Sequence, residues 1–525
     1  MRSMSWTKVS LSALWLIGMF VAHAGRASGQ TVNQAKPNSA VQGAETRGFD
    51  ELLRQLQSQV QELSGQVKRL EAQQESTQAE STELRKELDA AKTQLAALSS
   101  NPAPSSASSA TAPAATIEER VSKLEESQQM ASAEAAEQNQ TKVESSSKYR
   151  VRLSGIVLFN LYADRGSVNN QDFPELAMAP GVLSTGNSFG GTVRQSEIGL
   201  QGFGPTIGGA RTSAEIHFDF AGGFPQAPNG VSYGIMRLRT ATVRFDWDNT
   251  SVIAGQDALF LSPISPTSIA TLAVPAFAYA GNLWSWTPQV RVEHRFVAGE
   301  NSSFLLQGGI LDNLSGDTPP SEYNRYPTWG ENSGQPAYAT RLSWTHAVGD
   351  QKIIAGAGGY YGRQDWGFGR TVDSWAGTAD LTLPFGTRVE FTGEFYRGRA
   401  IGGLGGGIAQ TGLWNGVLTS PATDVYGLDS MGGWAQLKYK VSPKLQFNGA
   451  FGIDDPFASE FRQFGGSQTY YPTPLTKNES SLGNFLYQPK SDIVFSLEYR
   501  HLKTYTLDST TNSANIIVMS VGYLF

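Results

Sequence analysis

The sequence predicts an all-β transmembrane protein, a 16-stranded antiparallel barrel preceded by an N-terminal α-helical coiled coil. Three observations carry the prediction. Alternation at period two sets in at Tyr149 and continues to Phe525 in sixteen segments, an even number of the kind a closed antiparallel barrel uses. Short turns and long Gly-, Asn- and Pro-rich loops exchange between those segments. Past Gly29 no apolar run approaches the roughly 20 residues of a spanning helix, so a membrane has to be crossed with strands.

Composition removes several function classes. Charged residues make up 17% of 525, below the usual quarter, whereas aromatics reach 10% and glycines number 56. With 0 cysteines there is no disulfide, thiolate metal site or cysteine nucleophile. A formal net charge of -6 argues against nucleic acid as a partner.

The N-terminal elements follow in order. Residues 1–29 read as an export signal: Arg2 and Lys8 precede the apolar run LSALWLIGMFVA, and small residues place cleavage after Ala24 or Gly29. Residues 30–49 form a flexible segment. From 50 to 98, Leu53, Val60 and Val67 at a and Leu56, Leu63 and Leu70 at d make a heptad seam; Leu84, Leu88, Ala91, Leu95 and Leu98 resume its register after polar Gln74, Thr77 and Ser81. A seam that returns in phase is expected of a coiled coil rather than of a solvated helix. Residues 99–115 are a Pro/Ala/Ser linker, and residues 116–140 a short second helix opened by the capping-box pair Thr116 and Glu119.

The barrel is expected over 149–525. Its strands are placed at 149–163, 192–203, 211–220, 236–247, 250–256, 289–297, 303–311, 337–347, 351–361, 373–383, 387–397, 431–441, 444–453, 480–488, 492–503 and 514–525. The long loops at 164–191, 257–288, 312–336, 398–430 and 454–479 then lie outside, and turns such as DNTS, VGDQ and VSPK lie on the periplasmic side. In TPQVRVEHRFV, Val290, Val292, His294 and Phe296 make an apolar row against Gln289, Arg291, Glu293 and Arg295; TRVEFTGEFYRG and SDIVFSLEYRH alternate likewise. A soluble sandwich seldom sustains sixteen strands without a domain break, and Trp247, Trp344, Trp375, Tyr439 and Tyr523 near strand ends fit interfacial girdles. The final strand carries Val521, Tyr523 and Phe525 on one face, which reads as an assembly signal for barrel-assembly machinery.

Enzyme, metal and cofactor readings find little. The histidines past the signal, His217, His294, His346 and His501, are scattered, no Gly-Xaa-Ser-Xaa-Gly elbow occurs, and no metal-ligand spacing is visible. GGLGGG at 402–407 reads as loop flexibility rather than a phosphate cradle. No catalytic residue and no cofactor is assigned.

In architecture and in the ordered segments RQSEIGLQG, SAEIHFDF, MRLRTATVRF, VIAGQDALFLSP and WTPQVRVEHRF, the chain resembles the DcaP-like trimeric outer-membrane porin family. The resemblance implies a homotrimer in the bacterial outer membrane, with its N-terminal helices associating in the periplasm, and passive uptake of small anions such as dicarboxylates through an arginine-lined channel. Glu197 departs from it: similar porins often carry a basic residue after QS.

A sixteen-stranded barrel is wide enough to hold water, so its narrowing element sets selectivity. Residues 257–288 are unusually apolar for an exposed loop and are expected either to fold inward as a constriction, with Asp257, Ser262, Thr267 and Ser268 facing the pore, or to cover the rim or a neighbouring subunit. Arg291, Arg295, Arg341 and Arg388, with Glu293 and Glu390, are expected on the inward rows, as anion-attracting ladders or as the solvated wall of any barrel. Regular alternation puts Arg237 and Arg239 on the lipid side; either their strand extends beyond the membrane or a bulge turns both inward beside Arg244. Two alternatives to a selective channel stand beside it: an unspecific diffusion porin, and an envelope protein tethering the outer membrane to the cell wall through its coiled coil.

Overall fold

Along each wall strand, the rows that alternate in sequence separate into two environments. A computed structural model describes residues 150–224, 234–316, 325–464 and 473–525, so the expected signal, coiled coil, linker and second helix lie outside the described residues. The wall strands are β1 Val151–Arg165, β2 in two segments Asn187–Thr192 and Glu197–Phe203, β3 Arg211–Asp219, β4 Arg237–Asp246, β5 Thr250–Ala258, β6 Trp286–Val297, β7 Ser302–Leu311 and β8 Ala337–Val348. They continue as β9 Gln351–Asp365, β10 Thr371–Phe385, β11 Val389–Arg399, β12 Asp429–Ser442, β13 Leu445–Pro456, β14 Leu475–Lys490, β15 Ile493–Thr506 and β16 Thr511–Leu524.

Every neighbour pairs antiparallel, and β16 closes on β1 from Ile156 opposite Leu524 to Arg165 opposite Asn515. The wall therefore has the expected sixteen strands and no open edge. All eight long-side connections and all seven turns fall on opposite ends; the connection at 220–236 joins the long set, whereas 366–370 and 507–510 are short members of it.

Burial runs opposite to that of a soluble protein. On β15, Ser496, Glu498, Arg500 and Thr504 are buried, while Phe495, Leu497 and Tyr499 are exposed. On β10, Ser374, Thr378 and Asp380 are buried and Trp375 is exposed. A polar interior behind an apolar exterior is the pattern of a lipid-embedded barrel.

The polar rows are buried because a loop covers them. β5 extends to Ala258 and β6 starts at Trp286, so the apolar connection runs from 259 to 285, somewhat shorter than the sequence suggests. It crosses the barrel interior: Leu259, Phe260, Leu261 and Leu283 pack with Leu311, Tyr360 and Tyr396 of the wall, Ala276 and Phe277 with Trp434 and Leu482, and Ala270 with Leu502 and Ile516. A second inward segment follows β11. Ile401, Leu404 and Ile408 are buried, with Trp284 N–H donating to the Leu404 carbonyl at 3.0 Å. The GGLGGG stretch is thus packed rather than loose; Gly403 lies so close to the Leu314 carbonyl that a side chain there would collide with it.

Candidate functional site

The inward loop is held by hydrogen bonds from nearly every side of the barrel. Asn160 of β1 and Gln195, between the halves of β2, both donate to the Ala270 carbonyl, at 3.1 and 3.0 Å, and Gln195 accepts the Ala273 N–H at 3.0 Å. Further round the wall, on β12, β14 and β15, the Thr267 N–H donates to Gln436 at 2.6 Å, Asn484 donates to the Thr267 carbonyl at 2.9 Å, and the Ser268 hydroxyl donates to Glu498 at 2.6 Å. Asn478 donates to the Tyr279 carbonyl at 2.8 Å, and the Thr378 hydroxyl to the Leu261 carbonyl at 2.7 Å. Buried carbonyls and amides need such partners.

That geometry changes the expected role of three loop residues. Ser262, Thr267 and Ser268, expected to face open pore, spend their polar groups on the wall or on the loop itself; the Ser262 hydroxyl donates to the Leu283 carbonyl at 2.8 Å. The reason is that the wall beneath the loop is polar, so the loop's polar groups and not only its apolar side dock against it. Asp257 lies in β5 and receives Arg291 Nη1 at 2.7 Å.

The bulge alternative holds for β4. Phe218 pairs with Leu238 and His217 with Thr240, which leaves Arg239 as the extra residue and reverses the parity of the strand. Arg237 and Arg239 both turn inward. Arg237 forks onto Asp219 at 2.6 and 3.1 Å and donates to the Ala273 carbonyl at 2.6 Å; Arg239 pairs with Glu197 and donates to the Leu272 carbonyl at 2.9 Å. Both guanidiniums lie over Trp286, at 4.9 and 4.8 Å from its centroid. Glu197, the departure after QS, is therefore the counter-ion of an inward arginine.

The remaining candidate charges are also interleaved. Arg291 pairs with Asp257 at 2.7 Å and Glu293 at 2.8 Å, and Arg341 grips Asp380 at 2.7 and 3.1 Å with both side chains buried. Arg244 pairs with Asp246 at 2.7 Å and keeps 40% of its side chain exposed. Glu390 receives Lys438 at 2.9 Å and Lys440 at 3.2 Å. Arg295 is exposed toward the turn end of β6 and makes no ion pair among the described residues. Arg388 is not on a wall row: it is an exposed residue of the turn between β10 and β11, where its carbonyl accepts the Lys440 N–H at 2.7 Å. The period-two extrapolation ran one step past the strand.

Sequence reasoning missed the residues that seat the loop. Gln436, Asn478, Asn484 and Glu498 are uncharged or singly charged members of inward rows, which only their row membership could have marked, and Gln195 sits in the break of β2, which the regular alternation did not show. It also missed the pair Arg194 and Asp172, joined at 2.5 Å and 2.7 Å, which ties the break in β2 to the first long loop. The exposed ends of Val521, Tyr523 and Phe525 face outward, and Phe525 and Gly155 exchange backbone hydrogen bonds at 2.9 and 3.1 Å.

Among solved structures, the outer membrane channel DcaP of Acinetobacter baumannii superimposes with a TM-score of 0.54 at 17% identity, over 73% of this chain and 99% of that one. The fold is that of DcaP. At this identity the likeness concerns the fold alone. An anion-selective porin from Comamonas acidovorans matches with a TM-score of 0.44 at 12% identity, over 72% of this chain and 100% of that one. OccK1 (OpdK) of Pseudomonas aeruginosa matches at 0.35 and 14%, over 71% and 98%. No protein-family model matches the sequence. No curated protein matches it either.

Proposed function

We propose that the chain is an outer-membrane porin through which small hydrophilic solutes diffuse passively. The observation that carries this reading is the closed wall with apolar residues outside, polar residues inside and an apolar loop docked across the interior. In this reading residues 259–285 narrow the channel, the turns face the periplasm, residues 50–98 form a periplasmic coiled coil, and the active form is a homotrimer. Val521, Tyr523 and Phe525 serve barrel assembly.

The finer reading is a preference for small anions such as dicarboxylates. Its support comes from exposed Arg295, and from Arg244, which pairs with Asp246 yet keeps 40% of its side chain exposed. Arg237, Arg239, Arg291 and Arg341 each sit against a carboxylate and contribute a field of balanced sign. An unspecific diffusion porin is the second reading, favoured by that balance.

The test is the reversal potential of the purified protein in a planar bilayer under a salt gradient, with a dicarboxylate on one side. A channel current of either selectivity upholds the porin. An anion-selective current that Arg244→Gln diminishes upholds the finer reading, and a current leaning toward cations sinks it. Absence of any channel current from folded protein sinks both.

A further inference from the structure

We infer that Glu293 sets how the lumen treats solutes that carry a carboxylate: its side chain fills a seat between Arg244 and Arg291, and a passing carboxylate takes that seat by displacing it. The inference rests on the porin reading and deepens it.

Register brings the groups together. Arg244 of β4, Ile253 of β5 and Arg291 of β6 share one rung, and Asp246, Ser251, Glu293 and Gln307 share the next inward rung toward the turns. With strands about 4.8 Å apart, the two arginines are rooted about 10 Å from each other, a span that their side chains and one carboxylate fill. Glu293 Oε1 accepts Arg291 Nε at 2.8 Å and Gln307 Nε2 at 3.0 Å. Its Oε2 lies 3.8 Å from Arg244 Nη2, held by charge at a distance too long for a hydrogen bond. The carboxylate is thus fastened on one side and loose on the other.

Neither arginine depends on Glu293. Arg244 Nε donates to Asp246 at 2.7 Å and Arg291 Nη1 to Asp257 at 2.7 Å, so each keeps a carboxylate of its own. Among the described residues Arg244 Nη1 and Arg291 Nη2 make no hydrogen bond, which leaves each guanidinium a donor to offer. The surrounding charge favours an anion. Asp246, Asp257 and Glu293 lie with Arg244, Arg291 and Arg295, and Arg211 stands opposite Asp246 on β3: four cations against three carboxylates, or against two without Glu293. Glu293 and Arg244 keep 13% and 40% of their side chains exposed, so a solute in the lumen reaches them. A seat already filled by a carboxylate presents its donors where that group needs them, and two carboxylates compete for the one Arg291 Nε.

The test adds acetate to a chloride current carried by the full chain in a planar bilayer and reads the acetate concentration that halves the current. Glu293→Ala, which empties the seat, is expected to be blocked by acetate at a concentration about tenfold lower than wild type. Perchlorate, of the same charge but tetrahedral, is expected to shift much less. Adding Arg244→Gln to Glu293→Ala is expected to abolish the gain. Heat-modifiable migration reports that each variant is folded, and Glu293→Gln replaces Glu293→Ala should the latter not fold. Unchanged acetate block in the Glu293 variant, an equal shift for perchlorate, or a gain that survives Arg244→Gln overturns the inference while the conducting wild type leaves the porin reading standing. Absence of current from folded wild type fails the porin reading itself, and the inference falls with it.

Discussion

Arg341 meets Asp380 twice, and both side chains are buried within the barrel. Breaking such a pair from one side leaves a buried charge alone, so Arg341→Ala is expected to cost about 3–5 kcal/mol, read from urea unfolding of the heat-modifiable form; the double variant Arg341→Gln with Asp380→Asn is expected to cost less than the single one. Gly255 is a constraint of another kind. Its φ of +140 and its closeness to the Ala241 carbonyl, beside the bulged part of β4, exclude a side chain, so Gly255→Ala is expected to lower the unfolding midpoint. On the loop after β7, burial alone would raise the Glu331 carboxyl, but the Thr328 N–H at 2.7 Å and the Arg325 guanidinium outweigh it and hold the group below its usual range. A depressed carboxylate contributes stability that is present above its ordinary value near 4.5 and is lost as pH falls through its folded value. Hydrogen exchange at the amides of 328–333 is therefore expected to accelerate as pH falls below that value, after correction for intrinsic rates, and Glu331→Gln to abolish the change.

At the scale of elements, the inward loop is expected to narrow the channel because it is anchored on β1, the break in β2, β10, β12, β14 and β15. Deleting residues 263–279 removes the part anchored to Gln195, Gln436, Asn484 and Glu498 and leaves β5 and β6 whole, so single-channel conductance is expected to rise. An unchanged conductance would mean that solutes pass elsewhere. The loop's apolar run marked it as a segment that needs cover but left open whether it folds inward or covers the rim or a neighbouring subunit; its contacts with the inner wall decide for the interior. The wall strands were legible because one side chain in two had to meet lipid. What could not be read were relations across strands. Glu197 meets Arg239 through the bulge in β4, and Arg341 meets Asp380 across β9, both outcomes of register rather than of local pattern. The packed GGLGGG segment was misread because glycine allows looseness and close packing alike, and only its neighbours, Leu314 and Trp284, decide.

For the whole molecule, closure is the decisive property. The seam between β1 and β16 is a full antiparallel ladder ended by Gly155 and Phe525, and it draws only on residues from Val151 onward. Among the described residues, β1 finds its ladder partners in β2 and β16. If the coiled coil assembles or tethers while the barrel conducts, deleting 50–147 is expected to leave single-channel conductance and its ion preference as in the full chain. Oligomer size in detergent and co-sedimentation with isolated cell wall then separate the two tasks of the deleted segment. Lost oligomerisation with normal conductance assigns it to assembly, and lost sedimentation with normal oligomers assigns it to tethering. Conductance that disappears from a folded, heat-modifiable barrel would instead make the N-terminal segment part of the channel itself, and would overturn the division of labour on which the porin reading is built.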